Sequence, residues 1–266
     1  MSNNLTMMTK LKYLVIKLFF TFAIILLCKL SFAAKAEYYY QIKIYHIKDA
    51  SQEKAVDFYL ENAYLPALHR FGIFGVGVFK PIQKDSSEQL IYVFIPFKKI
   101  DHYLKLDQAL EKDQAYLNAG KDYLNAAFNQ PPFLRIESIL LKAFEGMPVP
   151  AIPKLSSPKA ERVYELRSYE ASTENLSLNK ISMFNELEIS IFTKLNFNAV
   201  FYGQVISGSK MPNLMYLTTF NNKADRDNHW TAFGPEYKKI SGLPQYQNNV
   251  SKNVTTFIYP TDYSDI

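Results

Sequence analysis

Arg162-Val-Tyr-Glu-Leu-Arg-Ser-Tyr-Glu170 reads as a β-strand. Val163, Glu165, Arg167 and Tyr169 fall on one side and Tyr164, Leu166 and Ser168 on the other, because side chains alternate along a strand. The stretch follows a proline-rich segment and precedes an amphipathic helix, which makes it the first strand of a domain. It has an echo in Tyr39-Tyr-Gln-Ile-Lys-Ile-Tyr45, and Tyr45 and Tyr169 lie 124 residues apart.

Outward from these two stretches the same order of elements appears twice. In the first copy a strand at 38–46 is followed by a helix from about Ser51 to Arg70, with Asp49 or Ser51 as its cap and an interruption expected at Pro66. Strands at 74–81 and 90–97 flank a polar turn at Lys84-Asp-Ser-Ser-Glu88. A long helix is then expected from Asp101 to about Ala127, and a fourth strand at 133–144. The second copy gives strands at 163–169, 199–206, 214–220 and 254–259. Its first helix covers about 178–195; its second starts near Lys223 and is expected to break at Gly234-Pro235. Gly72 and Asn196, Tyr92 and Tyr216, and Asp101 and Asp225 keep the 124-residue spacing, so the chain is read as a duplication.

The order β-α-β-β-α-β is the ferredoxin-like split unit. A four-stranded sheet with both helices on one face leaves its other face bare. Two such sheets in one chain cover each other, so the fold expected is α+β: two tandem ferredoxin-like modules packing sheet to sheet as an intramolecular dimeric α+β barrel. The boundaries read as an address segment at 1–36, module one at 38–145, a proline-rich linker at 146–161 and module two at 162–260.

The address segment has Lys10, Lys12 and Lys17 before an apolar run from Leu18 to Cys28, then Lys29 and Ser31-Phe-Ala-Ala-Lys-Ala36. This is the pattern of a cleavable signal peptide, with cleavage after Ala33 or Ala36. The run is too short to span a bilayer, so no stable membrane span is expected after cleavage. A secreted or periplasmic location follows. The formal charge of +5 owes four lysines to residues 1–33, so the remainder is nearly neutral and no nucleic-acid partner is expected. The single Cys lies in the apolar run, which excludes disulfides and thiolate sites from the exported part.

In the second module, Tyr164-Glu-Leu-Arg-Ser-Tyr169, Asp225-Arg-Asp-Asn-His-Trp-Thr-Ala-Phe233 and Pro235-Glu-Tyr237 resemble NIPSNAP domains. The motif residues are Asp225, Arg226, His229, Trp230 and Phe233. The resemblance covers 162–260; the first module matches in topology and spacing without the motif. It implies the same barrel fold and no agreed reaction. The wider superfamily holds small monooxygenases and haem enzymes, an analogy of fold alone.

Glu165, Arg167 and Tyr169 share a strand face, with Gln41, Lys43 and Tyr45 at matching places. If the helices cover the Leu166 face, these six point into the barrel. They would then form either a polar cavity for a small ligand or an internal Glu–Arg pair holding the sheets in register. His46, His69, His102 and His229 show no metal spacing, and no phosphate-binding, dinucleotide or nucleophile-elbow motif is present, so neither metal nor cofactor is expected. The 19 Tyr and 20 Phe report sheet content and would line a cavity with aromatic rings. The leading expectation is an exported NIPSNAP-like protein that binds a small, partly apolar molecule in the barrel interior. The alternatives are a cofactor-independent monooxygenase or isomerase, and a protein-interaction or assembly module; the sequence leaves a homo-oligomer open.

Overall fold

The computed structural model describes residues 37–83 and 89–266, together with Lys17. The expected signal peptide and the turn at 84–88 lie outside the described residues.

Strand β1 (Tyr39–Ile47) leads to Asp49, whose carboxylate accepts the backbone N–H of Ser51 and Gln52 and so starts α1 (Ala50–Tyr59). A π-helical segment (Leu60–Tyr64) joins α1 to α2 (Leu65–Arg70) without a break. The interruption expected at Pro66 is therefore a widened turn just before it. The second module repeats this device without a proline. There α6 (Glu174–Met183), a π segment (Phe184–Glu188) and α7 (Ile189–Lys194) follow β5 (Val163–Glu170). The widened turn thus belongs to the fold and not to Pro66. Both helices end in a left-handed residue, Gly72 (φ 74°) and Asn196 (φ 55°).

The remaining strands are β2 (Gly77–Pro81), β3 (Gln89–Phe97), β4 (Arg135–Ala143), β6 (Phe201–Ser207), β7 (Asn213–Phe220) and β8 (Lys252–Pro260). Between β3 and β4 the single long helix expected is instead three: α3 (Ile100–Leu110), α4 (Gln114–Ala119) and α5 (Lys121–Leu124). Asp113 causes the first division, since its side chain accepts the Tyr116 N–H as a new cap and also binds Arg70. Conversely, α8 (Lys223–Ser241) runs through Gly234-Pro235 unbroken. The break expected there does not end the helix, and Pro235 sits inside it.

The eight strands close in the order β1-β3-β2-β8-β5-β7-β6-β4, all antiparallel. Each module supplies a ferredoxin-like sheet with its first strand central. The sheets join where β2 meets β8 (Phe79 opposite Pro260) and where β4 meets β6 (Leu141 opposite Val205). This is an intramolecular α+β barrel of the dimeric type. The 124-residue spacing slips by one in the third strand: Tyr39 faces Phe97, but Val163 faces Phe220. Tyr45 and Tyr169 correspond, both turned to the helices. Tyr92 and Tyr216 do not, since Tyr92 packs in the barrel and Tyr216 beneath the helices.

Three cores result. Tyr40, Ile42, Phe79, Phe94, Tyr164 and Phe201 are among the side chains packed in the barrel interior. Two more cores lie between each sheet and its own helices.

Candidate functional site

Along β5, Tyr164 and Leu166 enter the barrel core, while Glu165, Arg167 and Tyr169 meet the helices. In β1, Tyr40 and Ile42 likewise point inward, whereas Lys43 and Tyr45 pack under α1 and α2. Gln41, on the same face as Lys43, bonds to Ser138 Oγ at 2.8 Å. The six candidate residues therefore stand outside the barrel, opposite to the placement expected. A closed barrel excludes water and offers no counter-charge. The helices bring partners, so the ionic residues settle on that face.

Glu165 is fully buried and is the hub of the second module. Its carboxylate accepts Arg167 Nε (2.6 Å), Arg226 Nε (2.7 Å), Arg226 NH2 (3.0 Å) and Trp230 Nε1 (2.7 Å). The Arg167 guanidinium lies 4.0 Å from the Trp230 ring centroid and donates to the Tyr169 hydroxyl, which pairs with Tyr216. Burial opposes the charge on Arg167, yet the neighbouring Tyr216, Tyr169 and Glu165 hold its pKa above the ordinary value. A second buried pair, Lys180 with Glu188, sits in the same helix–sheet space, and Lys180 also donates to Tyr237. Burial raises the Glu188 carboxyl and pushes Tyr237 up to about 12. Tyr216 is driven well above its ordinary value, again mainly by burial. Tyrosines held protonated in this way supply no base near neutral pH. The cluster is a satisfied ionic core that pins β5 to α6 and α8.

His229 bonds through Nδ1 to the Asp225 carbonyl and stands edge-on to Phe197. His46 meets Glu137, and His69 meets Asp265. Among the described residues, no three His, Cys, Asp or Glu side chains group as metal ligands.

Open space lies on the outside of the first module. A cleft of about 820 Å³ runs between α1, α5 and the loop before β4. Tyr59 and Tyr123 form its aromatic wall, stacked at 3.7 Å and 6°. Their hydroxyls turn inward, Tyr59 to Tyr116 and Tyr123 to Tyr45. Phe58 projects beside them and is 58% exposed. Buried Gln52 clamps the loop by donating to the Pro131 carbonyl at 2.7 Å. The second module lacks this loop. Lys121 of α5 matches Pro244 at a spacing of 123, whereas β4 and β8 start 117 apart, so module one carries six extra residues there. The six-residue surplus was the available sequence signal for the cleft, visible only when both copies are aligned at the fourth strand.

Comparison with known proteins bears on the second module most directly. Residues 164–265 match the NIPSNAP family model. No curated protein matches the chain. Among solved structures, a candidate monooxygenase from Fusobacterium nucleatum is similar at TM-score 0.55 and 12% identity, covering 85% of this chain and 93% of that one. Another candidate monooxygenase, from Lactobacillus acidophilus, gives 0.51 and 10%, covering 84% and 93%. A NIPSNAP family protein from Agrobacterium tumefaciens gives 0.36 and 15%, covering 44% of this chain and 97% of that one. At these identities the likeness shows the fold alone. Within the stretch that matches the NIPSNAP model, Arg226 and Trp230 meet Glu165, and Phe233 stacks on Phe192. Asp225 receives the Asn221 N–H near the start of α8 and contacts His229. The geometry of these matched residues is that of helix docking.

Proposed function

We propose that the chain is an exported NIPSNAP-type barrel that binds a small, partly apolar molecule without turnover, in the cleft of module one and not in the barrel. One observation carries this reading. The barrel interior is packed with aromatic and aliphatic side chains, while the loop before β4 borders an open cleft of about 820 Å³ lined in part by Phe58 and Tyr123. The inward turn of the Tyr59 and Tyr123 hydroxyls supports binding over catalysis, because it leaves exposed side chains as the titratable groups at the cleft. Export rests on the charged and apolar pattern of residues 1–36, and fractionation of expressing cells tests it: a chain retained whole in the cytoplasm refutes it.

The test of the cleft uses 8-anilinonaphthalene-1-sulfonate as a partly apolar probe. Ala55→Trp fills the cleft and Phe58→Ser removes its projecting ring. Each is expected to weaken probe binding by about tenfold, with the far-ultraviolet circular dichroism unchanged. Probe affinity unaltered by Ala55→Trp would refute the site.

A further inference from the structure

The loop before β4 ends in a ring that nothing in its own chain covers. Phe128 is 102% exposed. It sits in a tight turn closed by the Gln130 N–H, which donates to the Ala127 carbonyl at 2.8 Å. Ala126 and Asn129 on either side line the cleft, whereas Phe128 does not. The ring is therefore a knob beside the hollow, turned away from it. Phe58 and Leu134, also exposed, line the hollow itself and extend the apolar surface. A contiguous apolar patch of this kind marks an interaction surface.

The charges around the patch are of both signs. Lys48 and Lys54 stand on the α1 side of the cleft and Asp122 on the α5 side. Lys121 adjoins Asp122, and Glu61 lies beyond Phe58. These five form no ion pair among the described residues. Glu53 and Asp57 nearby are already held by Lys80. A face of one sign would repel a copy of itself and suit an anionic lipid surface or a nucleic acid. A face of mixed sign is complementary to itself: a two-fold contact sets lysines of one copy against carboxylates of the other. The same symmetry lets each copy give a knob and receive one. The size also fits. Roughly two dozen accessible residues lie over 48–61 and 118–134, against the 20–30 a side of a standard interface. A partner adding a strand finds no place, because the barrel is closed.

We propose that two copies of the chain pair through this face, Phe128 of each entering the cleft of the other and closing its open side. The pairing needs no ligand; only the closing of the cleft over a small molecule rests on the reading of the cleft as a binding site. The test is sedimentation equilibrium of the purified protein from about 1 to 100 μM, a range that reads micromolar dissociation constants. A dimer is expected. Phe128→Asp is expected to weaken it about hundredfold, and Ala55→Trp, which fills the hollow, at least tenfold, both with circular dichroism unchanged. A chain carrying Lys48→Glu, Lys54→Glu and Lys121→Glu, and one carrying Glu61→Lys and Asp122→Lys, should each fail to self-associate and should pair when mixed. A monomer at 100 μM overturns the proposal, as does a dimer indifferent to Phe128→Asp or to Ala55→Trp. Flotation of the monomer with phosphatidylglycerol vesicles, lost in Phe128→Asp, assigns the knob to a lipid surface and also overturns it. In those cases anilinonaphthalene binding that still responds to Ala55→Trp leaves the cleft as a small-molecule site. Probe binding indifferent to that substitution, in a protein that pairs as expected, removes the small-molecule reading and leaves the dimer.

Discussion

Replacing Glu165 by Gln tests whether the ionic hub holds the second module together. The side chain is fully buried and accepts from two guanidiniums and the Trp230 indole. Gln keeps the shape and one acceptor oxygen, so Trp230 retains a partner. It removes the negative charge and turns an NH2 group toward Arg167, whose side chain is 13% exposed and has no other carboxylate. Removing one partner of a buried ion pair costs about 3–5 kcal/mol, against a total stability of roughly 5–15 kcal/mol. Arg226→Met is the contrast. Arg226 is more accessible and its loss leaves Glu165 still bound to Arg167 and Trp230, so a cost of about 1–2 kcal/mol is expected. Urea unfolding followed by tryptophan fluorescence measures both, since Trp230 is the single Trp of the chain and lies in the network. A Glu165→Gln cost below about 1 kcal/mol, or one no larger than that of Arg226→Met, refutes the hub.

Asp113 carries a pH prediction. Burial opposes its ionisation, but the Tyr116 N–H and Arg70 hold its pKa below the ordinary 3.8. A depressed carboxylate contributes stability above its unfolded value that is lost as pH falls through the folded one. Asp113→Asn keeps the cap and deletes the charge, so it should cost about 0.5–1 kcal/mol at neutral pH. Thermal midpoints of mutant and wild type should then converge as pH falls below the ordinary 3.8 and through the lowered folded-state value; a gap that persists once the carboxyl is protonated in both states contradicts the assignment. At the helix ends, Gly72→Ala places a Cβ on a backbone at φ 74° with no steric neighbour, so its cost of about 1 kcal/mol is purely conformational. Asn196→Gly at the matching position should be neutral or stabilising, and a loss there instead would mean the Asn side chain holds the turn.

Alternation along 162–170 and its echo was enough to read both central strands, and the repeated β-α-β-β-α-β order gave the duplication and the closed α+β fold. Which face of those strands meets the helices was not readable locally. It depends on Arg226 and Trp230, some sixty residues from Glu165, and the choice follows from where counter-charges can reach. The division of the long helix was legible in principle, because Asp113 stands three residues before Tyr116 as a cap. The paired π segments, Leu60–Tyr64 and Phe184–Glu188, were not read from the sequence. The continuous α8 shows the limit of reading a proline as a stop, since Pro235 stands inside it.

The two modules fill matching positions differently, and that difference bears on where function resides. Lys43 and Arg167, Tyr45 and Tyr169, Val56 and Lys180, Tyr64 and Glu188 occupy corresponding places between sheet and helices. In module two three of these places hold charges: Arg167 is joined through Glu165 to Arg226 and Trp230, and Lys180 pairs with Glu188. Removing Glu165, Lys180 or Glu188 there strands a buried charge, so these positions tolerate little change. In module one the same places hold mostly tyrosines and a valine, and Lys43 reaches only the Tyr64 hydroxyl and ring. Such a core adjusts to substitution at lower cost, and the six-residue insertion that walls the cleft sits on that side. The half that matches NIPSNAP is thus the half with the buried ionic network. If binding belongs to the cleft, it belongs to the half the family model leaves unmatched, and a NIPSNAP domain in another protein gives no guide to the ligand of this one.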